Sequence, residues 1–248
     1  MNEILEIKSL KKSFGEKEVV DGLTFKVNKG EILGFLGPNG AGKSTTINMI
    51  TTILDIDEGN VLFEGRNIDS NNNSFKKALG YVPQDIALFN DLSAYENVKF
   101  FGSLYGLKGE CLKSRVKETL KLVGLCDRKD DYPDSFSGGM KRRLNIACSI
   151  VHKPKLLIMD EPTVGIDPQS RNNILEVTKS LRDNGTTIIY TSHYMEEVEA
   201  ICSRILIIDN GKIIEVGNKE EIKAKYKEKG LNNLEEIFLN LTGKELRD

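Results

Sequence analysis

Residues 37 to 45 read Gly37-Pro38-Asn39-Gly40-Ala41-Gly42-Lys43-Ser44-Thr45, and the fold is decided by how this stretch is read. It fits the spacing G-x-x-x-x-G-K-[ST], with Gly37, Gly42, Lys43 and Ser44 in register. Glycines let successive backbone N–H groups close around a phosphate with no Cβ in the way. A lysine at this position reaches the outer phosphates, and the serine hydroxyl can ligate Mg²⁺. An apolar run, Ile32 to Leu36, precedes the loop, and Thr45 to Thr52 reads as a helix after it. The loop therefore lies where a helix N-terminus, with its partial positive charge, faces an anion.

Upstream, Ile4 to Phe14 and Leu23 to Val27 are short apolar or alternating runs separated by polar turns, the pattern of antiparallel strands. Phe14 stands in a polar stretch just before Gly15. Its ring is either exposed and able to stack on a purine, or a core residue of an edge strand. Downstream, Val61 to Phe63 reads as a strand after a turn at Asp57, Glu58 and Gly59, and Asn71, Asn72 and Asn73 read as a polar turn. Ala78 to Val82 is another apolar run, stopped by Pro83 and followed at once by Gln84.

From Ser93 to about His152 the alternation gives way to helical spacing, as in Leu112, Val116, Leu120 and Val123, with Gly106, Gly109 and Gly124 as breakers. Within this region Ser137, Gly138, Gly139 and Met140 precede the basic run Lys141, Arg142 and Arg143. Two readings stand side by side: a second anion-receptive helix N-terminus, or a serine N-cap followed by a solvated basic turn. Lys155 to Glu161 is a buried-strand run ending in two carboxylates. Beside a phosphate loop, Asp160 can hold Mg²⁺ through its water shell, and Glu161 can orient a water for attack on the terminal phosphate. Asp167 and Pro168 suit the N-cap and first position of the next helix. Thr186 to Ser192 reads as a strand closed by His193, which is either a surface or a catalytic residue, whereas His152 reads as structural. Asn210 and Gly211 join two apolar runs as a hairpin. Leu234, Ile237, Phe238 and Leu241 share one face of a closing helix.

The 248 residues, 39% of them hydrophobic, are enough for a real core. Thirty-five basic against 37 acidic residues give a net charge of -2, so no global electrostatic footprint for nucleic acid is present. The four cysteines, Cys111, Cys126, Cys148 and Cys202, are widely spaced and read as free thiols. The opening MNEILEIK has no signal-peptide pattern, and no apolar run approaches the roughly 18 residues of a membrane span. The expectation is a cytoplasmic chain that does not cross a bilayer by itself.

Taken in order, these motifs resemble those of the nucleotide-binding subunits of ATP-binding-cassette transporters, and the resemblance covers nearly the whole chain. Phe14 matches the family's aromatic adenine-stacking position and Gly37 to Thr45 its Walker A loop. Gln84 matches the glutamine loop, Ser137 to Lys141 the signature motif, and Asp160 with Glu161 the end of Walker B. Val164 to Asp167 match the D-loop and His193 the switch histidine. The pattern departs from its commonest form at Phe14, Phe136, Met140, Val164 and Ile166, none of which removes a phosphate-contacting group. The wording FSGGMKRR and VGIDP, with the amphipathic tail, looks like the bacterial branch that exports drugs, antibiotics and cell-envelope compounds.

The resemblance implies an α/β fold: a P-loop NTPase core with a mixed sheet, an N-terminal antiparallel β subdomain and an inserted helical subdomain. The expected division is a core over 1–84 and 153–216, a helical subdomain over about 85–152, and a helical tail over 217–248. It implies ATP and Mg²⁺ as ligands. Catalysis would fall to Glu161, His193 and Gln84, and the metal to Ser44, Gln84 and Asp160. The nucleotide would be held by Phe14, Gly37, Pro38, Asn39, Gly40, Ala41, Gly42, Lys43, Ser44 and Thr45, with Ser137, Gly138, Gly139 and Asp167. Expected partners are a transmembrane permease and a second nucleotide-binding subunit, as homodimer or heterodimer, with no nucleic acid. The chain would then sit peripherally on the inner face of the cell membrane. Two other readings stay open. One is a soluble ATPase of this fold acting on DNA or ribosomes, which usually carries a long coiled-coil insertion or a second cassette not present in these residues. The other is a regulator that binds nucleotide without hydrolysing it, in which the counterparts of Glu161 or His193 would be expected to be lost.

Overall fold

A computed structural model describes residues 3–69 and 72–243. The expectations at Asn71 and over residues 244–248 of the tail lie outside the described residues. In chain order the elements are β1 (Glu3–Phe14), β2 (Lys17–Asn28), β3 (Ile32–Leu36), α1 (Lys43–Ile50), β4 (Glu58–Phe63), β5 (Arg66–Asn67), α2 (Asn73–Ala78) and β6 (Leu79–Val82). Next come α3 (Ala94–Leu104), α4 (Gly109–Leu122), α5 (Gly138–Ile150), β7 (Leu156–Met159), α6 (Pro168–Asp183) and β8 (Thr187–Tyr190). The chain continues with α7 (Met195–Ile201), β9 (Arg204–Asp209), β10 (Lys212–Asn218), α8 (Lys219–Lys227) and α9 (Leu234–Thr242). It separates into two compact units, Met1–Lys76 with Thr187–Asp248, and Lys77–Thr186.

The first unit holds an antiparallel sheet in the order β2-β1-β4-β5 and a mixed run in the order β10-β9-β3-β8. In the mixed run β3 pairs in parallel with both β8 and β9, and β10 returns antiparallel on β9. β3 is buried along its whole length, which accounts for an unbroken apolar run in place of alternation. The turn read at Asp57 to Gly59 is shorter than expected, because β4 already starts at Glu58. Gly59 fits inside a strand because its φ is +91° and it faces a bulge: a Cβ there would collide with the carbonyls of Lys8 and Ser9. At the other end of the unit α9 buries Leu234, Ile237 and Phe238. This is the docking that its apolar face requires.

The second unit pairs β6 with β7 in parallel, Val82 opposite Met159, and packs α3, α4 and α5 together. The helical spacing holds: Leu112, Val116, Leu120 and Val123 are all buried. α3 starts on a complete capping box, in which Ser93 Oγ accepts from the Glu96 amide and a Glu96 carboxylate oxygen accepts from the Ser93 amide. Three short elements escape the sequence reading: β5, α2 and α7. Asn73, read as part of a turn, opens α2, with Asn72 Oδ1 accepting from the Phe75 amide at 3.0 Å.

Candidate nucleotide site

In the first unit the glycine loop leaves β3 and enters α1, and its shape is imposed by close neighbours. A Cβ on Gly37 would lie 2.5 Å from the Ile208 carbonyl, and one on Gly42, whose φ is +101°, would lie 2.7 Å from the Val19 carbonyl. The Gly211 amide donates to the Ala41 carbonyl at 3.1 Å and the Asp21 amide to the Gly211 carbonyl at 2.9 Å. The β9–β10 hairpin, expected from the sequence as a hairpin and no more, therefore also braces the loop from behind. Asn210 and Gly211 both have positive φ, 47° and 75°, as a two-residue hairpin turn of this hand requires.

At the mouth of the loop α1 starts at Gly42 with no side-chain cap and no acidic residue in its first turn. Its first turn thus has no side-chain cap competing for an anion, and the glycines leave room for one. Lys43 is only 7% exposed and its Nζ donates to the Gly37 carbonyl at 2.6 Å and to the Pro38 carbonyl at 3.2 Å. The ammonium is held over the loop. Asn39, Gly40 and Ser44 face solvent, Thr45 is half-buried and Ala41 is buried. These features fit a bound polyphosphate. Phe14, at the tip of β1, is 52% exposed, which removes the edge-strand core reading. A ring of that size standing in water is available for stacking.

His193 leaves β8 on the same edge of the mixed run as the loop leaves β3, since the two strands are parallel with Gly34 opposite Tyr190. Its turn is pinned from both sides. Ser192 Oγ accepts from the Tyr194 amide at 2.9 Å and donates to the buried carboxylate of Glu197 at 2.7 Å, and the Tyr190 hydroxyl donates to the same carboxylate oxygen at 2.9 Å.

In the second unit parallel pairing brings Gln84 and the two carboxylates to one edge. The Asp160 amide donates to the Val82 carbonyl at 2.9 Å, extending the ladder one residue past β7. Asp160 and Glu161 are both buried, and burial together with the Asp160 charge pushes the Tyr81 phenol up to about 12. Glu161 has φ +48°, a left-handed backbone that glutamate rarely adopts. Gln84 is exposed, but its backbone is clamped. Arg142, only 3% exposed, donates from Nη1 to the Pro83 carbonyl at 2.8 Å and from Nη2 to the Gln84 carbonyl. Further along α5, Asn145 Oδ1 accepts from the Ala87 amide and Ser149 Oγ donates to the Tyr81 carbonyl at 2.7 Å. The reading of Arg142 as part of a solvated basic turn is therefore corrected. The positions 142, 145 and 149 fall on one helical stripe, a signal in the sequence that charge alone obscures.

Ser137 caps α5, its Oγ accepting from the Met140 amide at 3.3 Å; it and Gly138 are exposed while Gly139 is buried. Asp167 caps α6 with Pro168 in the first turn, and its Oδ1 accepts from the Ser170 amide at 2.9 Å. That backbone hydrogen bond holds its carboxyl below the usual carboxylate range. His152 keeps its structural reading. It stacks flat on Tyr105 at 3.5 Å, its Nε2 donates to the Leu79 carbonyl at 2.9 Å, and burial pulls its pKa down to about 4. All four cysteines are free thiols. Among the described residues no helix is long and apolar enough to cross a membrane.

The sequence profile of a family described as ABC transporter matches residues 20–164. The linearmycin resistance ATP-binding protein LnrL of Bacillus subtilis (strain 168) is 52% identical over 219 residues, covering 88% of this chain and 70% of its own length. The daunorubicin/doxorubicin resistance ATP-binding protein DrrA of Streptomyces peucetius is 38% identical over 220 residues, covering 89% of this chain and 67% of its own. A solved ATP-binding subunit of an ABC transporter superposes with a TM-score of 0.85 at 29% identity, over 96% of this chain and 99% of that one. The glycine loop, the strand-end carboxylates and the mixed sheet are thus those of a P-loop NTPase-like fold, and the chain belongs to the ABC transporter family as a nucleotide-binding domain related to drug- and antibiotic-resistance exporters.

Proposed function

We propose that this chain binds and hydrolyses ATP to drive a separate membrane permease that exports a drug, an antibiotic or a cell-envelope compound. The observation that carries the ATP reading is the uncapped α1 N-terminus behind a glycine loop whose shape is fixed by the Ile208 and Val19 carbonyls. Backbone amides of the Gly37–Thr45 loop, other than Pro38, which has none, and Ala41, whose amide donates to the Pro38 carbonyl at 3.1 Å, hold the phosphates with the Lys43 ammonium, and Phe14 stacks on the base. Mg²⁺, when bound, neutralises charge on the β- and γ-phosphates, and Ser44, Asp160 and Gln84 are the residues to hold it. Glu161 orients the attacking water and takes up its proton, while His193 and Gln84 sense the γ-phosphate. Lys43 offsets the charge that develops on the phosphoryl oxygens.

In this reading the site is completed by a second chain, whose Ser137, Gly138, Gly139 and Asp167 close over the nucleotide. Converting a pair of subunits from 1% to 99% closed needs about 5.5 kcal/mol of differential binding, or roughly 2.7 kcal/mol for each of two ATP molecules. A few charge-assisted hydrogen bonds per site suffice. Closure then drives alternating access in the permease, with this chain held peripherally at the membrane's inner face.

An aromatic surface supports the permease partner. Phe89 and Phe100, both exposed, stand edge to face at 4.9 Å, with Phe101 at 5.6 Å from Phe100; Ile86 and Leu104, on the same two segments, are exposed as well. They lie on the segment after Gln84 and on α3, so a permease helix seated there touches the γ-phosphate sensor's own loop. The export reading is supported by the resistance proteins that this chain resembles. The test is co-expression with a candidate permease of about six spans and measurement of ATP turnover in the purified complex. Glu161→Gln should abolish turnover while ATP affinity stays within about twofold. Wild-type turnover by that variant would remove Glu161 from its role.

A further inference from the structure

The two glycines at the start of α5 have different physical reasons to be glycine. Neither has a positive φ, so neither is needed for an unusual backbone. A Cβ on Gly138 would have 3.9 Å of clearance to its nearest neighbour, Ile166 Cδ1. A Cβ on Gly139 would lie well under 3.0 Å from both Oγ and Cβ of Ser170, and 3.4 Å from Asp167 Oδ2. Gly138 leaves its face open; Gly139 vacates the space that Ser170 fills. Ser170 is itself fixed, because its amide donates to Asp167 Oδ1 at 2.9 Å and Pro168 stiffens the turn between them. Arg143, one turn along α5 from Gly139, is near enough to feel the Asp167 charge. From Asp167 the chain runs back to Glu161 through two tight turns, Ile166 amide to Thr163 carbonyl at 3.2 Å and Val164 amide to Glu161 carbonyl at 3.3 Å.

We propose that Gly139 and Ser170 form a fitted joint, through which the turn at Asp167 positions the N-terminal end of α5. Ser170 is thereby a positioning residue for the signature end, and a shift of Ser137 and Gly138 is carried to the segment that bears Glu161. This rests on the proposed reading in which the signature end closes over the nucleotide of a second chain. An aspartate at Gly139 consequently tests packing and charge together, whereas Gly138→Asp tests charge alone.

The experiment is a double-variant cycle in the full chain: Gly139→Ala, Ser170→Gly and the two combined, with Gly138→Ala as comparator. Two readouts are taken. Thermal melting reports the joint within one chain. The ATP concentration for half-maximal dimer formation, measured by size-exclusion chromatography in a Glu161→Gln background, reports the signature end. Gly139→Ala is expected to lower Tm by roughly 3–10 °C, as overpacking does in a chain of this size, and to raise the dimer midpoint about tenfold. Adding Ser170→Gly restores most of both, and does nothing for Gly138→Ala. If the combined variant melts no higher than Gly139→Ala, there is no joint. If melting recovers and the dimer midpoint does not, the joint exists but does not position the signature end. If the Glu161→Gln parent forms no ATP-dependent dimer, the two-chain reading falls and the positioning role with it, while the melting cycle still decides the joint.

Discussion

Helices α1 and α5 both open on glycine, at Gly42 and Gly138, and their N-termini are finished in opposite ways. α1 begins at Gly42 with no side-chain cap, its loop braced by the hairpin at Gly211 and its lysine folded over the Gly37 carbonyl. α5 begins with its own serine cap, and its second glycine is filled by Ser170. An uncapped terminus has unsatisfied donors until a phosphate arrives, so it binds alone. The serine cap of α5 takes up one of its first amides, that of Met140, so this end has fewer donors to offer an anion. Under the proposed function, the difference gives first capture of ATP to α1 and closure over a partner's nucleotide to α5.

The largest effect probes whether either terminus does chemistry. Glu161→Gln should lower kcat of the permease complex by roughly 10²–10⁴, the range for loss of a general base, with both termini still binding; a steady-state assay decides. Next, Lys43→Ala should weaken ATP binding by the isolated chain roughly a hundredfold, the value of a charge-assisted hydrogen bond or two. Fluorescent-nucleotide titration measures this. A loss of less than threefold would break the assignment of capture to α1.

Acid separates the two ends by another route. His152 sits just past the C-terminal end of α5, with a folded pKa near 4 against an ordinary 6.5. Protonation therefore favours the unfolded chain. Stability is complete above about pH 6.5 and falls by of order 2 kcal/mol as pH drops toward 4. Hydrogen exchange should show α5 amides losing protection across that window, and His152→Gln should flatten the profile.

Smaller again, Ser137→Ala removes a cap and should lower Tm by about 2–4 °C, near 1 kcal/mol for a chain of this size. Its ATP affinity as a monomer should not change, which calorimetry checks. The smallest effect belongs to Phe14→Ala. Loss of stacking should weaken ATP and GTP alike by roughly 2–10-fold, because a ring reads a purine face and not its hydrogen-bonding edge. Unequal loss would mean that the ring contacts something besides the base.

What was legible in the sequence was whatever spacing or an obligatory backbone shape encodes. The glycine loop, the Asp167–Pro168 cap and the Asn210–Gly211 hairpin all stand where the residues place them. The alternatives for Phe14 needed a surface area to choose between them, since an aromatic beside a glycine looks the same buried or exposed. α2 was missed because its six residues carry a single buried apolar side chain, Phe75, too little for a period to register. α7 hides likewise, its seven residues spanning barely two turns and burying a glutamate, Glu197, among Met195, Val198 and Ile201. Arg142 was misjudged because burial of a guanidinium depends on distant carbonyls at Pro83 and Gln84. The same holds for Gly139, whose reason for being glycine lies in another helix.

The left-handed backbone at Glu161 has a consequence for stability. A non-glycine residue there costs about 1–3 kcal/mol relative to a relaxed conformation. Glu161→Gly should relieve that backbone strain while ending turnover, which a steady-state assay of the permease complex checks. Strain of this kind also stands at Ser9, Thr52, Glu64 and Lys153, so what sets Glu161 apart is that its backbone carries the carboxylate to which the proposed function gives the attacking water.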